Sequence, residues 1–125
     1  MTELIYKEEA YQIVGAAMDV YNTMGNGFVE PVYQECVEIE LGLRGISFEQ
    51  QVPIPLDYKS RRLKQQYIPD LTCFGSIIVE LKAVKSIVDE HRAQLLNYLK
   101  ATGLHLGMLV NFGAYPKLEW ERMVL

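Results

Sequence analysis

Between Lys7 and Met24 the apolar residues Ala10, Ile13, Val14, Ala17, Met18 and Tyr21 return at steps of three and four, the spacing of a helix with one buried face. Gly25-Asn26-Gly27 closes that pattern. Pro31, suited to a first helical turn, opens a second helix through Val32, Cys36, Val37 and Leu41 that should stop near Gly42 or Gly45. From Phe48 to Tyr58 the period shortens to two, which predicts a strand, with Pro53 and Pro55 pushing it toward an edge or a bulge. A polar turn at Lys59-Ser60-Arg61 leads into a second strand, Arg62 to Leu71, and Phe74-Gly75-Ser76 turns the chain into a third, Ile77 to Lys82. Ser86, with Asp89 three residues on, predicts the N-cap of a helix that carries Ile87, His91, Leu95, Leu96 and Leu99 and ends at Gly103. Leu104 to Phe112 follows as an apolar strand, and Leu118 to Val124 as a weakly alternating edge strand.

Two helices, an antiparallel meander, a helix and two strands make an α/β fold with a mixed central sheet flanked by helices. The strand, helix, strand crossover after Lys82 favours parallel pairing. At 125 residues, half of them hydrophobic and without repeat or linker, the chain is expected to form a single domain over 1–125.

Composition narrows the function classes. A net charge of -4 argues against coating nucleic acid through overall charge but leaves a local basic patch open. Lys59, Arg61, Arg62 and Lys64 form such a patch, four of the twelve Lys and Arg residues, with no aromatic residue interleaved. It could grip a phosphate backbone, or it could be a solvated turn whose charges keep a hairpin from aggregating. Cys36 and Cys73 are too few and too distant for a disulfide framework or a zinc or iron-sulfur ligand set, and they suit a reducing cytosol. The opening residues lack the basic start and apolar run of a signal peptide, and no run approaches membrane-spanning length, so a cytoplasmic protein without membrane partners is expected.

The chemistry concentrates between Pro69 and Lys82. Ile77, Ile78 and Val79 read as a buried strand that continues into Glu80 and Lys82, two residues apart on one face, where burial of charge needs a reason. The turn at Phe74-Gly75-Ser76 sets Asp70 opposite Glu80 and so brings two hard oxygen ligands to one point, which suits a magnesium ion. Lys82 beside them could hold or help deprotonate a water and offset charge developing on phosphorus. Asp70 could instead be a strand-end residue and Glu80 with Lys82 the exposed face of an edge strand. Burial on both faces of this strand decides between the two. His91 has no second histidine or cysteine nearby and reads as a packed or capping residue.

Pro69-Asp70 with Glu80-Leu81-Lys82 resembles the motif of the PD-(D/E)XK nuclease superfamily, and Gly27-Phe28-Val29-Glu30-Pro31-Val32-Tyr33 resembles the signature of the GxxExxY proteins, a group placed in that superfamily. The similarity covers nearly the whole chain. It implies a restriction-endonuclease-like core and a site in which Glu30 joins Asp70 and Glu80 as metal ligands, with Lys82 catalytic and Gln94 and Tyr98 beside them. It further implies hydrolysis of phosphodiester bonds in nucleic acid with Mg2+ or Mn2+, DNA ahead of RNA. A catalytically silent binding or partner protein is the alternative, and a homodimer or protein partner stays open. Without the resemblance, Glu30 before Pro31 is a carboxylate favoured by the helix dipole, and Gln94 and Tyr98 are polar-face residues.

Overall fold

In a computed structural model, residues 5–125 are described; the first four, on which the expectation of no leader partly rests, lie outside them. The described residues form α1 (Lys7–Met24), α2 (Glu30–Leu43), β1 (Phe48–Gln50), β2 (Ile54–Tyr58), β3 (Arg61–Tyr67), β4 (Leu71–Cys73), β5 (Ile77–Lys82), α3 (Asp89–Thr102), β6 (Leu106–Asn111) and β7 (Glu119–Val124). β1-β4-β5-β6-β7 make one sheet and β2-β3 a separate hairpin. β5 and β6 run parallel, as expected of two strands joined through α3, and the other neighbours are antiparallel.

The strand expected from Phe48 to Tyr58 is two strands in two sheets. Gln51 adopts a left-handed conformation, φ 49°, and gives its N–H to the Asp70 carbonyl at 3.2 Å, while Pro53 has no N–H to offer a ladder. The proline-induced irregularity does appear, as a register shift between Pro55 and Asp57. The strand expected from Arg62 to Leu71 likewise stops at Tyr67, and after Pro69 a new strand begins at Leu71. The meander is therefore β1-β4-β5, with β2-β3 inserted between its first two strands. Ser86 is not the N-cap of α3. Ile87 is buried and gives its N–H to Glu119 Oε1 at 2.9 Å, so the N-cap falls later, at Val88, whose N–H is accepted by His91 Nδ1 at 3.2 Å.

Alternation along β5 sends Ile77, Val79 and Leu81 into one core with Ile13 and Ala17 of α1 and Val37 of α2, and Ile78 into a second with Tyr67, Leu95, Leu99 and Leu109. α1 shows a turn of its face relative to expectation: Ala16 and Val20 are buried, whereas Met18 is exposed. In α2 Val37 and Leu41 are buried as expected, Tyr33 is buried with them, and Val32 and Cys36 are only half-buried. Gly107 lets α3 close on β6, because a Cβ there would meet the Leu95 side chain at 2.9 Å. β5 is thus a central strand covered on both faces, which removes the reading of Glu80 and Lys82 as an edge-strand face.

Candidate active site

The β4-β5 register, Leu71 with Val79, carried one residue outward sets Asp70 across from Glu80. Asp70 lies just beyond the ladder, after Pro69, and turns Oδ2 onto the Leu81 N–H at 2.8 Å. Glu80 is fixed from the other side, where the Tyr67 hydroxyl donates to its Oε1. Tyr67 in turn stacks on Tyr98 of α3, ring centroids 3.6 Å apart and planes 9° from parallel. Lys82 is half-buried two residues on, and among the described residues it forms no ion pair with either acid.

Glu30 reaches the same end of β5 from α2. Gly27 holds φ 110°, a conformation that disfavours any side chain. Tyr33 pins the loop around it: its hydroxyl donates to the Gly25 carbonyl at 2.5 Å and accepts the Phe28 N–H at 3.2 Å, and its ring stacks on Phe112 at 4.5 Å. The glycine and the tyrosine of the Gly27–Tyr33 motif therefore serve to present the glutamate between them, whose Oε2 accepts the Ala83 N–H at 3.4 Å. An open cleft of about 570 Å³ runs past Glu30, Gln34, Glu38, Gln51, Asp70 and Leu81. A second, of about 540 Å³, lies on the other side of Glu30 against Asn26, Ala83, Lys85 and Gly113.

The electrostatics follow from this crowding. Burial pushes the Glu80 carboxyl up to about 7, the charge of Asp70 adds to the rise, and the Tyr67 hydroxyl and Lys82 hold it back. Asp70 is raised too, first by burial and further by the charge of Glu30, against the Leu81 N–H, the Glu80 carboxyl and Lys82. The Tyr67 phenol is driven far up by burial and by Glu80, so it stays a donor. Near neutral pH the two carboxyls do not both carry full charge unless a cation offsets them. Two hard oxygen donors with that unmet need fit magnesium or manganese. Among the described residues no three His, Cys, Asp or Glu side chains already converge as a ligand group, so water and substrate oxygens would fill most of such an ion's shell.

A family model described as the PD-(D/E)XK nuclease superfamily matches residues 7–123. The chain belongs to that superfamily. Its mixed sheet and flanking helices are the restriction-endonuclease-like core that the motif implied. A solved structure, described as the crystal structure of SSO0001, superposes with a TM-score of 0.59 at 21% identity and covers 95% of this chain, a likeness of fold. The chain spans 57% of the length of that protein. No curated protein matches it.

Of the residues singled out from sequence, Asp70 and Glu80 come together, with Lys82 close enough for its charge to act on both. Glu30 faces the adjoining cleft. Tyr98 reaches Glu80 only through Tyr67, and Gln94, on the same face of α3, is exposed without a hydrogen bond to the acids. Lys59, Arg61, Arg62 and Lys64 sit at the tip of the β2-β3 hairpin. Tyr58 adjoins them with the Lys59 ammonium 5.4 Å from its ring centre, so the patch does have an aromatic neighbour. Sequence reasoning missed Tyr67 and also Gln34, whose Nε2 donates to the Asp70 carbonyl at 3.0 Å. Gln34 follows Glu30 by one helical turn, a signal that was available. Tyr67 was hidden by the strand wrongly run through it. Among the described residues no helix is long and apolar enough to cross a membrane.

Proposed function

We propose that the chain is a magnesium- or manganese-dependent nuclease domain that hydrolyses phosphodiester bonds in nucleic acid, DNA ahead of RNA. The observation that carries this is the meeting of two charge-frustrated carboxyls, Asp70 and Glu80, at the end of a doubly buried strand in a member of a nuclease superfamily. Asp70 and Glu80 would hold the ion, and Glu30 would join from α2. The ion, when bound, supplies charge to a phosphate oxygen and lowers the pKa of a water. Lys82 holds the attacking water and offsets the charge that develops on phosphorus. Tyr67 orients Glu80, and Tyr98 with Gln94 supports that side of the site. The motif from Gly27 to Tyr33, with its positive φ and its pinned loop, supports the finer placement among the GxxExxY proteins.

Purified protein with manganese should cleave single- or double-stranded DNA or RNA, and Lys82→Ala should not. No cleavage of any of the four, or full cleavage by Lys82→Ala, removes the catalytic assignment. The second reading, a silent binding or partner protein, draws on the lack of a three-acid cluster among the described residues. Calorimetric titration of manganese into the parent and Asp70→Asn locates the ion, since heat lost in the variant puts it at Asp70; an ion bound without cleavage is the silent reading.

A further inference from the structure

The β2-β3 hairpin is charged opposite to the rest of the molecule. Ile54–Tyr67 holds four cations and one acid, net +3, so the remainder of the chain carries net -7. Six consecutive residues of β3, Arg61 to Gln66, are exposed. Only Arg62 is neutralised, by Asp57 at 2.7 Å, which leaves Lys59, Arg61 and Lys64 uncompensated among the described residues. At physiological salt, charges beyond about 8 Å are largely screened, so a ligand at the tip meets the arm's own cations rather than the acidic body.

An aromatic residue stands among those cations. Tyr58 is 62% exposed, pairs across the hairpin with Arg61, and has the Lys59 ammonium 5.4 Å from its ring centre. A turn charged only to prevent aggregation has no use for an exposed aromatic ring beside its cations, whereas a stacking platform for a base needs one. Cross-strand pairing places Arg61, opposite Tyr58, on the same face as Tyr67, opposite Ile54, because Tyr58 and Ile54 are four residues apart on β2; Tyr67 is the residue that donates to Glu80. The tip and the acids are therefore two ends of one element. Their partners on β2, Tyr58 and Ile54, are four residues apart, so the two ends lie about 14 Å apart at roughly 3.4 Å per residue. A stacked strand with a phosphate every 3.4 Å or so spans that distance in about four nucleotides.

We infer that the β2-β3 hairpin is an arm for an unpaired strand of nucleic acid, Tyr58 stacking on a base and Lys59, Arg61 and Lys64 meeting phosphates about four nucleotides from the acid pair. This rests on the nuclease reading for what happens at the far end, but the arm's own binding does not need the reaction. The test is fluorescence anisotropy of a labelled oligothymidine and of the matching duplex, with the intact chain in chelator so that nothing is cut.

The single strand should bind tighter than the duplex. Tyr58→Ala should weaken strand binding by roughly five- to a hundredfold while Tyr58→Phe holds it. Replacing Lys59, Arg61 and Lys64 together by Ala should lower the slope of log affinity against log salt by about two. The three cations are surface groups, so an unchanged melting temperature accompanies the change in binding. Equal or tighter binding of the duplex, parental affinity in Tyr58→Ala, an unchanged salt slope, or no binding by the parent each overturns the arm. If these shifts appear and no metal supports cleavage, the arm stands and the nuclease reading falls; if cleavage occurs and the shifts do not, the reverse holds.

Discussion

Glu80→Gln should stabilise this protein when no metal is present. In the folded chain the Glu80 carboxyl titrates at about 7 against an ordinary 4.5. Between those values the folded state holds a proton that the unfolded state has released, so stability is full below pH 4.5 and declines as pH rises to 7. The gap between those two values, at about 1.4 kcal/mol per pH unit, comes to roughly 3–4 kcal/mol lost at pH 8. Glutamine keeps an oxygen for the Tyr67 hydroxyl and turns an N–H toward Asp70, so the substitution removes the charge without orphaning a donor. The metal-free variant should therefore melt with the parent near pH 4.5 and higher than it at pH 8, by roughly 10 °C for a chain of this size.

Thermal or urea unfolding of both proteins across pH 4.5 to 8, in chelator, reads the difference directly. The carboxyls outside the Asp70-Glu80 pair and both histidines titrate in parent and variant alike, so they cancel, and the difference belongs to the pair. Manganese should raise the parent at pH 8 and leave the variant nearly unmoved. A parent whose stability is level or rises between pH 5 and 7, or a variant that is less stable at pH 8, would refute the reasoning, because either means that the carboxyl pair is not held under mutual repulsion.

Tyr67→Phe removes the hydroxyl that holds the Glu80 pKa down while keeping the stack on Tyr98, so the acid limb of a pH–rate profile should move to higher pH. Gly113→Ala puts a Cβ 2.2 Å from the Val84 carbonyl oxygen, against backbone that cannot yield cheaply; it should cost about 1–3 kcal/mol in urea unfolding and shift the segment at Ala83 that Glu30 touches. Asn111 is fully buried and its Oδ1 accepts the Val84 and Gly113 N–H groups, both at 3.0 Å; Asn111→Ala strands two donors and should cost roughly 2–5 kcal/mol in the same measurement.

α1, α2, β5 and the parallel β5-β6 pair were legible because each follows from a local period or from the hand of a crossover. The juxtaposition of Asp70 and Glu80 was legible for the same reason: a tight turn at Phe74-Gly75-Ser76 sets the register on both sides of itself. The breaks at Gln51 and after Tyr67 were not. Alternation looks the same whether a strand stays in its sheet or leaves it, and Gln51 turns left-handed beside a bond to the Asp70 carbonyl, a partner that lies nineteen residues away. Ser86 failed as a cap because Ile87 was claimed by the core and by Glu119.

Sequence alone determined which residue types meet at the end of β5, since hairpin register is a short-range matter. Tertiary structure decided what their meeting does. That β5 is central rather than an edge, that Tyr67 rather than solvent satisfies Glu80, and that Tyr98 acts through that tyrosine all depend on α3 and the hairpin closing over one face of the sheet. Burial by those elements, together with the charge of Asp70, is what lifts the Glu80 carboxyl to about 7, and desolvation is a property of the packed chain that no spacing of residues encodes.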